Sequence, residues 1–354
     1  MTTEIGCFIS PHGFGHATRT IALLSALHEL VPDLHARFLT TVPQALFKNC
    51  SFPFTYHSIS NDVGLVQKSA LTADLRQTLN QLARFIPVQH NLVYQCADIC
   101  RNCSLLLCDI SILGILTGKK AGSRSVLVEN FTWDWIYRSL AEKEPALRPY
   151  ADYFLGCYDQ ADFRIQTQPL CKTAAHHIVC PPIARKTRLE PALLTGLLGR
   201  RDRILVLITM GGIPLALPFL DLLSRHPDYF FVLAGQQEEV LHADNVMLIS
   251  QNSPFHHPDL IAAADLLVCK SGYSTIAECS QTNTPICCVK REGFAESAVL
   301  ESWITNRMNG TILEPHEFFT GSWLEQLPAL LKKTRVREPH NGARQAASFI
   351  STLL

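Results

Sequence analysis

Short apolar runs recur along the chain, each ending at a glycine, a proline or a charged residue. The first, at 5–10, gives way to Pro11-His12-Gly13-Phe14-Gly15-His16 and then to 17–31, where apolar residues fall at helical spacing. Runs at 104–109, 125–129, 203–209, 229–233, 246–249, 266–270, 285–289 and 310–313 repeat the theme. Helix-patterned stretches such as 110–121, 296–304 and 342–354 lie between and after them. Strands buried on both faces read as continuous apolar runs, without polar alternation. Their alternation with helices predicts parallel sheets covered on both sides. The expected fold class is α/β, with two doubly wound, Rossmann-like domains facing across a cleft.

Other stretches are less regular. Residues 51–61 carry no clear pattern, and 66–100 read as one or two helices with Leu71, Leu75, Leu79, Leu82 and Ile86 at helical spacing. Segments 153–157 and 162–166 read as short strands. Pro181-Pro182 closes the first half, and the polar stretch 185–203 reads as a linker. The expected domains are therefore 1–185 and 200–335, with a closing helix in 336–354 that could return to the first domain.

Composition narrows the class. A length of 354 residues suits two domains, and 31 basic against 31 acidic residues create no global field towards nucleic acid or an anionic membrane. The start, Met1-Thr2-Thr3-Glu4, lacks the order of a signal peptide, and the longest apolar stretch, 105–116, is broken by Asp109 and too short for a transmembrane segment. The 13 cysteines, an odd number, suggest free thiols and a cytoplasmic location. Cys100 and Cys103 form a C-x-x-C without a companion pair, so no metal is expected there. Oligomeric state is not readable from these features.

Three stretches carry candidate chemistry. The 11–16 loop resembles a dinucleotide fingerprint but has only Gly13 and Gly15, and no acid follows the next strand at 37–41, which argues against NAD. Its distinctive content is two histidines at the carboxyl end of a first strand, where open α/β sheets bind ligands. The segment 130–137 is a dense aromatic-polar loop. Its two tryptophans suit either a wall for a sugar-like substrate or packing at the domain edge. In Lys270-Ser271-Gly272-Tyr273 a strand stops, a Ser-Gly turn follows and a helix begins. Such a junction aims bare N–H groups and a positive dipole end at an anion.

Gly13-Phe14-Gly15-His16-Ala17-Thr18-Arg19, together with Asn130-Phe131-Thr132-Trp133-Asp134-Trp135 and Gly272-Tyr273-Ser274-Thr275-Ile276-Ala277-Glu278, resembles GT-B glycosyltransferases. The likeness is to the family that includes the bacterial peptidoglycan N-acetylglucosaminyltransferase. Within that group, these segments look most similar to predicted glycosyltransferases resembling the N-terminal region of plant L-arabinokinase. Pro285 and Phe294-Ala295-Glu296 extend the match, and no Walker-type phosphate loop for a kinase domain is present.

The resemblance implies a metal-independent transferase, with no cofactor beyond a nucleoside-diphosphate sugar, UDP-linked by family expectation, and an unidentified acceptor. It implies His16 as the base that deprotonates the acceptor, oriented by Asp109, with inversion at the anomeric carbon. On the donor side it implies Gly15, Gly211, Gly212, Ser271, Gly272, Tyr273, Ser274 and Thr275 around the diphosphate. Glu278 would meet the ribose, Phe255 the base, and Glu296 the sugar. His12, Arg19, Asn130, Trp133 and Asp134 are expected on the acceptor side, His12 also being a competing base. Relatives carry a glutamine beside the position of Glu296, whereas here Ser297 follows. The sugar is therefore left open. Two other functions share the expected fold: a nucleotide-sugar- or partner-binding module without turnover, and an isomerase like UDP-N-acetylglucosamine 2-epimerase.

Overall fold

The computed structural model of the chain describes residues 2–69, 71–199, 202–211, 217–251, 253–291, 293–333, 336 and 340–354. Contacts divide it into two compact units: Met1–Val66, Ala73–Ala184 and Asn341–Leu354 form the first, and Gln67–Thr72 with Arg185–His340 the second.

In chain order the strands of the first half are β1 (Thr3–Ile9), β2 (Leu34–Thr40), β3 (Phe54–Ser58), β4 (Gln67–Ser69), β5 (Thr72–Ala73), β6 (Leu105–Asp109), β7 (Ser125–Glu129), β8 (Phe163–Thr167) and β9 (Ile178–Cys180). The helices among them are α1 (Gly15–Leu30), α2 (Leu75–Phe85), α3 (His90–Ile99), α4 (Ile112–Ala121), α5 (Trp133–Leu140) and α6 (Arg148–Tyr158). Seven strands make one sheet in the order β3-β2-β1-β6-β7-β8-β9, and β4 pairs separately with β5. The seven-stranded sheet is parallel throughout. Because β1 lies between β2 and β6, the strand order reverses there, and the reversal opens a crevice at the carboxyl ends of those strands.

The second half contains α7 (Pro191–Leu197), β10 (Ile204–Thr209), α8 (Leu220–Leu223), β11 (Tyr229–Gln236), β12 (Val240–Ala243), β13 (Val246–Ser250), α9 (His257–Ala263), β14 (Leu266–Lys270) and α10 (Tyr273–Thr282). It continues with β15 (Ile286–Val289), α11 (Ser297–Arg307), β16 (Thr311–Leu313), α12 (Pro315–Thr320), α13 (Leu327–Leu331) and α14 (Gly342–Ser351). The sheet order is β12-β13-β11-β10-β14-β15-β16, with only β12 antiparallel, and its reversal falls between β10 and β14. Successive residues of these strands enter different cores. Leu205, Leu207, Leu267 and Cys269 pack on one face, while Val206, Ile208, Leu266 and Val268 pack on the other. Both faces are covered, which is why the strands read as unbroken apolar runs.

Several local expectations give way. Residues 153–157 lie in helix α6 rather than a strand, since Ala151, Phe154, Cys157 and Tyr158 are buried at helical spacing. The expected helical stripe of 66–100 begins only at Leu75, and Asp74 caps α2 by accepting the Gln77 N–H. Leu71 belongs instead to the core of the second unit. The stretch read as a linker contains α7, whose Leu194 is buried in the second unit together with Leu198. All thirteen cysteines are free, and most are buried. Among the described residues no helix is long and apolar enough to cross a membrane.

The chain returns to the first unit at Asn341. Ala343, Ala346, Ala347 and Ile350 of α14 join the core formed with α1. The close approach demands glycine at 342, because a Cβ there would stand 2.0 Å from the Pro181 carbonyl oxygen. Gly342→Ala is expected to destabilise the protein by about 1–3 kcal/mol through overpacking. Gly156→Ala, in exposed helix with nothing near the added Cβ, should stabilise by about 0.5–1 kcal/mol. Urea unfolding of both variants checks the pair.

Candidate active site

The first unit's crevice is furnished by β1, β6 and β7. After β1 the chain turns through Gly13, whose φ of 73° lies in the left-handed region, and enters α1 at Gly15. This puts His16 on the first turn and Arg19 one turn along. β6 ends on Asp109, and the next residue, Ile110, is fully buried with φ 49°. A β-branched residue in that region is strained, and the strain sits beside the carboxylate.

His16 Nδ1 lies 2.8 Å from Asp109 Oδ1. Arg19 donates to both oxygens of the same carboxylate, Nε to Oδ2 at 2.9 Å and a terminal nitrogen to Oδ1 at 2.5 Å. Thr20 adds a hydroxyl bond to Oδ2 at 3.2 Å. The other terminal nitrogen of Arg19 donates to Asn130 Oδ1 at 2.7 Å. Burial alone would raise the pKa of Asp109, but the Arg19 charge and the bonds from His16 and Arg19 prevail and hold it below the usual carboxylate range. The Arg19 terminal nitrogen that meets Oδ1 also stands 3.2 Å from His16 Nδ1, so Nδ1 is the ring nitrogen held in this network.

This geometry reassigns part of the expected acceptor side. Arg19 is 1% exposed and Asn130 0%, and both belong to the buried network that supports Asp109. The segment read as an aromatic loop is helical from Trp133 onward. Trp133 is 1% exposed, donates its indole N–H to Asp62 and stacks on Tyr137 at 5.8 Å. It therefore packs rather than forming an open wall. Asp134 is also buried and lies 3.4 Å from Lys172 Nζ. His12 sets its ring edge-on to Trp133 at 5.0 Å and accepts the Leu65 N–H on Nδ1 at 3.3 Å. Asp62, not singled out in the sequence, is pushed up to about 6 by burial, against the pull of the Trp133 bond. It lies just past the patternless segment 51–61, between that segment and the next pattern, so only the fold reveals it.

In the second unit the corresponding reversal lies between β10 and β14. Gly211 follows β10 with φ 71°, and β14 ends at Lys270. Gly212 lies outside the described residues. Ser271 is fully buried, and its hydroxyl bonds to Ser297 Oγ at 3.2 Å. Gly272 is the N-cap of α10 with φ −140°, an ordinary extended conformation, and provides no side-chain cap. Its value to a ligand is space, since an added Cβ would meet nothing closer than 4.0 Å. Tyr273, Ser274 and Thr275 form the first turn of α10. Phe255 packs against the core on that face of the sheet.

Glu278 is 2% exposed and both its oxygens are engaged, by Arg185 Nε at 2.7 Å and His257 Nδ1 at 2.8 Å. Burial would raise its pKa, but Arg185 and His257 bring it down to about 2. Within the chain, these contacts tie the first half of α10 to the residues at 185 and 257. Glu296 is 9% exposed and lies 3.5 Å from an Arg291 terminal nitrogen. Arg185, His257 and Arg291 were not singled out in the sequence, because none of them ends an apolar run or falls in a motif. Among the described residues no group of three or more ligating side chains could hold a metal ion.

No family model matches the chain. It is 25% identical over 334 residues to the L-arabinokinase of Arabidopsis thaliana, an alignment covering 90% of this chain and 31% of that protein. The chain thus spans under a third of the length of that curated relative. Among solved structures it is similar to the calicheamicin glycosyltransferase CalG4, with TM-score 0.67 and 15% identity over 100% of this chain and 99% of the other. A UDP-glucosyltransferase from Polygonum tinctorium matches with TM-score 0.63 and 11% identity over 100% and 98%. The fold is that of the GT-B glycosyltransferases.

Two tests follow from the charge networks. Asp109→Asn leaves the buried Arg19 uncompensated and is expected to destabilise by about 3–5 kcal/mol in urea unfolding, whereas the paired change Arg19→Met with Asp109→Leu should recover much of that loss. Glu278 has a folded pKa depressed to about 2. Its stabilising contribution is full above the ordinary glutamate range and is lost as pH falls towards 2. Between pH 5 and 3 the wild type should therefore lose more stability than Glu278→Gln, measured by unfolding at each pH.

Proposed function

We propose that the protein is a glycosyltransferase that moves a sugar from a nucleoside-diphosphate donor to a hydroxyl acceptor without a metal ion. The observation that carries the reading is the buried His16–Asp109 pair, joined through Nδ1, at the strand reversal of a GT-B fold. An acceptor hydroxyl must lose its proton as it attacks the anomeric carbon, and an oriented neutral imidazole is suited to take it. Direct attack by the acceptor, with departure of the diphosphate from the opposite face, inverts the anomeric centre. The donor's diphosphate is assigned to the turn at Ser271-Gly272 and the first turn of α10. UDP is the favoured nucleotide by analogy with the Polygonum enzyme, described as a UDP-glucosyltransferase.

A binding module without turnover is the second reading. It is favoured by one observation: Arg19 already neutralises the carboxylate that would stabilise an imidazolium at His16. Both readings require nucleotide binding, and only the first requires His16 to act.

Nucleoside diphosphates are expected to raise the melting temperature, with UDP the strongest of a panel. His16→Ala should keep that shift while donor hydrolysis or transfer falls by about 10²–10⁴-fold. Turnover unchanged in His16→Ala would remove the base assignment, and a panel with no shift would remove the donor assignment.

A further inference from the structure

We propose that Lys270 and Arg291 form a side-chain anion site at the start of α10, and that the group it takes is a diphosphate ester. The inference rests on the donor reading above and adds to it two cations that sequence analysis did not assign.

Arg291 is only 5% exposed. One terminal nitrogen donates to the Ser271 carbonyl at 3.3 Å and approaches Glu296 Oε1 at 3.5 Å, which fixes the guanidinium beside the turn. Its Nε and other terminal nitrogen have no hydrogen-bond partner. The Phe294 ring supports the guanidinium from one face, 3.4 Å from Cζ to the ring centroid. Buried donors left unmade are costly, so their persistence marks a place for an acceptor.

Lys270 approaches from the strand side. Its Nζ lies 3.7 Å from where a Cβ on Gly211 would stand, so the ammonium is directed at the glycine turn after β10. No hydrogen bond from it occurs among the described residues. Glu296 is the single carboxylate acting on both cations. Two cations against one acid, beside an uncapped helix N-terminus, leave a positive excess in a buried place. A lone sugar carboxylate would be satisfied by Arg291 alone, whereas two cations on either side of one turn suit two linked phosphates.

The titration of Lys270 agrees with this geometry. Burial and the charge of Arg291 bring its pKa down to about 7, while Glu296 and Cys269 oppose them. An anion would restore its charge, so binding above pH 7 should take up a proton.

The test uses the full chain with inorganic pyrophosphate, UDP and UMP as probes, read by calorimetry and thermal shift. Wild type is expected to bind pyrophosphate and to prefer UDP over UMP. Lys270→Met and Arg291→Met should each weaken pyrophosphate by about tenfold or more and collapse the UDP preference. The ligand-free melting temperature of Lys270→Met should not fall, because a buried cation is removed, so this variant decides the matter if Arg291→Met folds poorly. Proton uptake at pH 8, read from buffers of different ionisation enthalpy, should vanish in Lys270→Met. Pyrophosphate binding that depends on Lys270, without any response to nucleotides, would support the anion site and remove the donor reading. Nucleotide binding unaffected by both substitutions would keep the donor reading and overturn the anion site. Failure of wild type to bind either pyrophosphate or UDP would overturn both.

Discussion

The carboxylate of Asp109 is the point on which the first unit's chemistry depends. It is almost fully buried, and an ionised group in that position survives only if its charge and lone pairs are met. Arg19, His16 and Thr20 meet them, all from the first turns of α1. The glycine turn at Gly13, the parallel pairing of β1 with β6 and the strained Ile110 all serve to bring that helix and that strand end together. Asn130, from the end of β7, holds the far side of Arg19. Three neighbouring strands are thereby tied at their carboxyl ends by one ionic network, and His16 takes its orientation from it.

The two units balance charge in opposite ways. In the first, cations and acceptors close on the acid from several sides, leaving only the imidazole Nε2 for outside chemistry. In the second, Glu278 is closed in the same manner by Arg185 and His257, but the neighbouring Lys270–Arg291 pair has too little counter-charge. A folded protein does not retain such a deficit for stability, since replacing buried ions by apolar side chains is often neutral or stabilising. It is this deficit that the proposed anion site would fill.

Much of the fold was legible because parallel strands covered on both faces leave unbroken apolar runs, and β1, β6, β10 and β14 are such runs. The residues that close those strands, Asp109 and Lys270, were visible as charges ending apolar segments. What escaped was whatever depends on distant pairing. Arg19 was expected on the acceptor side, yet it bonds to a carboxylate 90 residues away. Leu71 fitted a helical stripe, yet it serves the second unit's core. The aromatic-polar stretch 130–137 suited either a substrate wall or packing at the domain edge. In fact Trp133 finds its acceptor in Asp62, just past a segment with no pattern of its own. Arg291 fell in a loop, where a charge is ordinarily solvated, and nothing local signals its burial.

The sharing of Asp109 also bears on how a base at this position would work. In a simple histidine–carboxylate pair, the acid both orients the ring and offsets the positive charge that forms on it. Here orientation is retained through the 2.8 Å contact, but Arg19 already draws on the same oxygens. The carboxylate is thus shared between the imidazole, the guanidinium and the Thr20 hydroxyl, so its role toward the ring is first of all orientation.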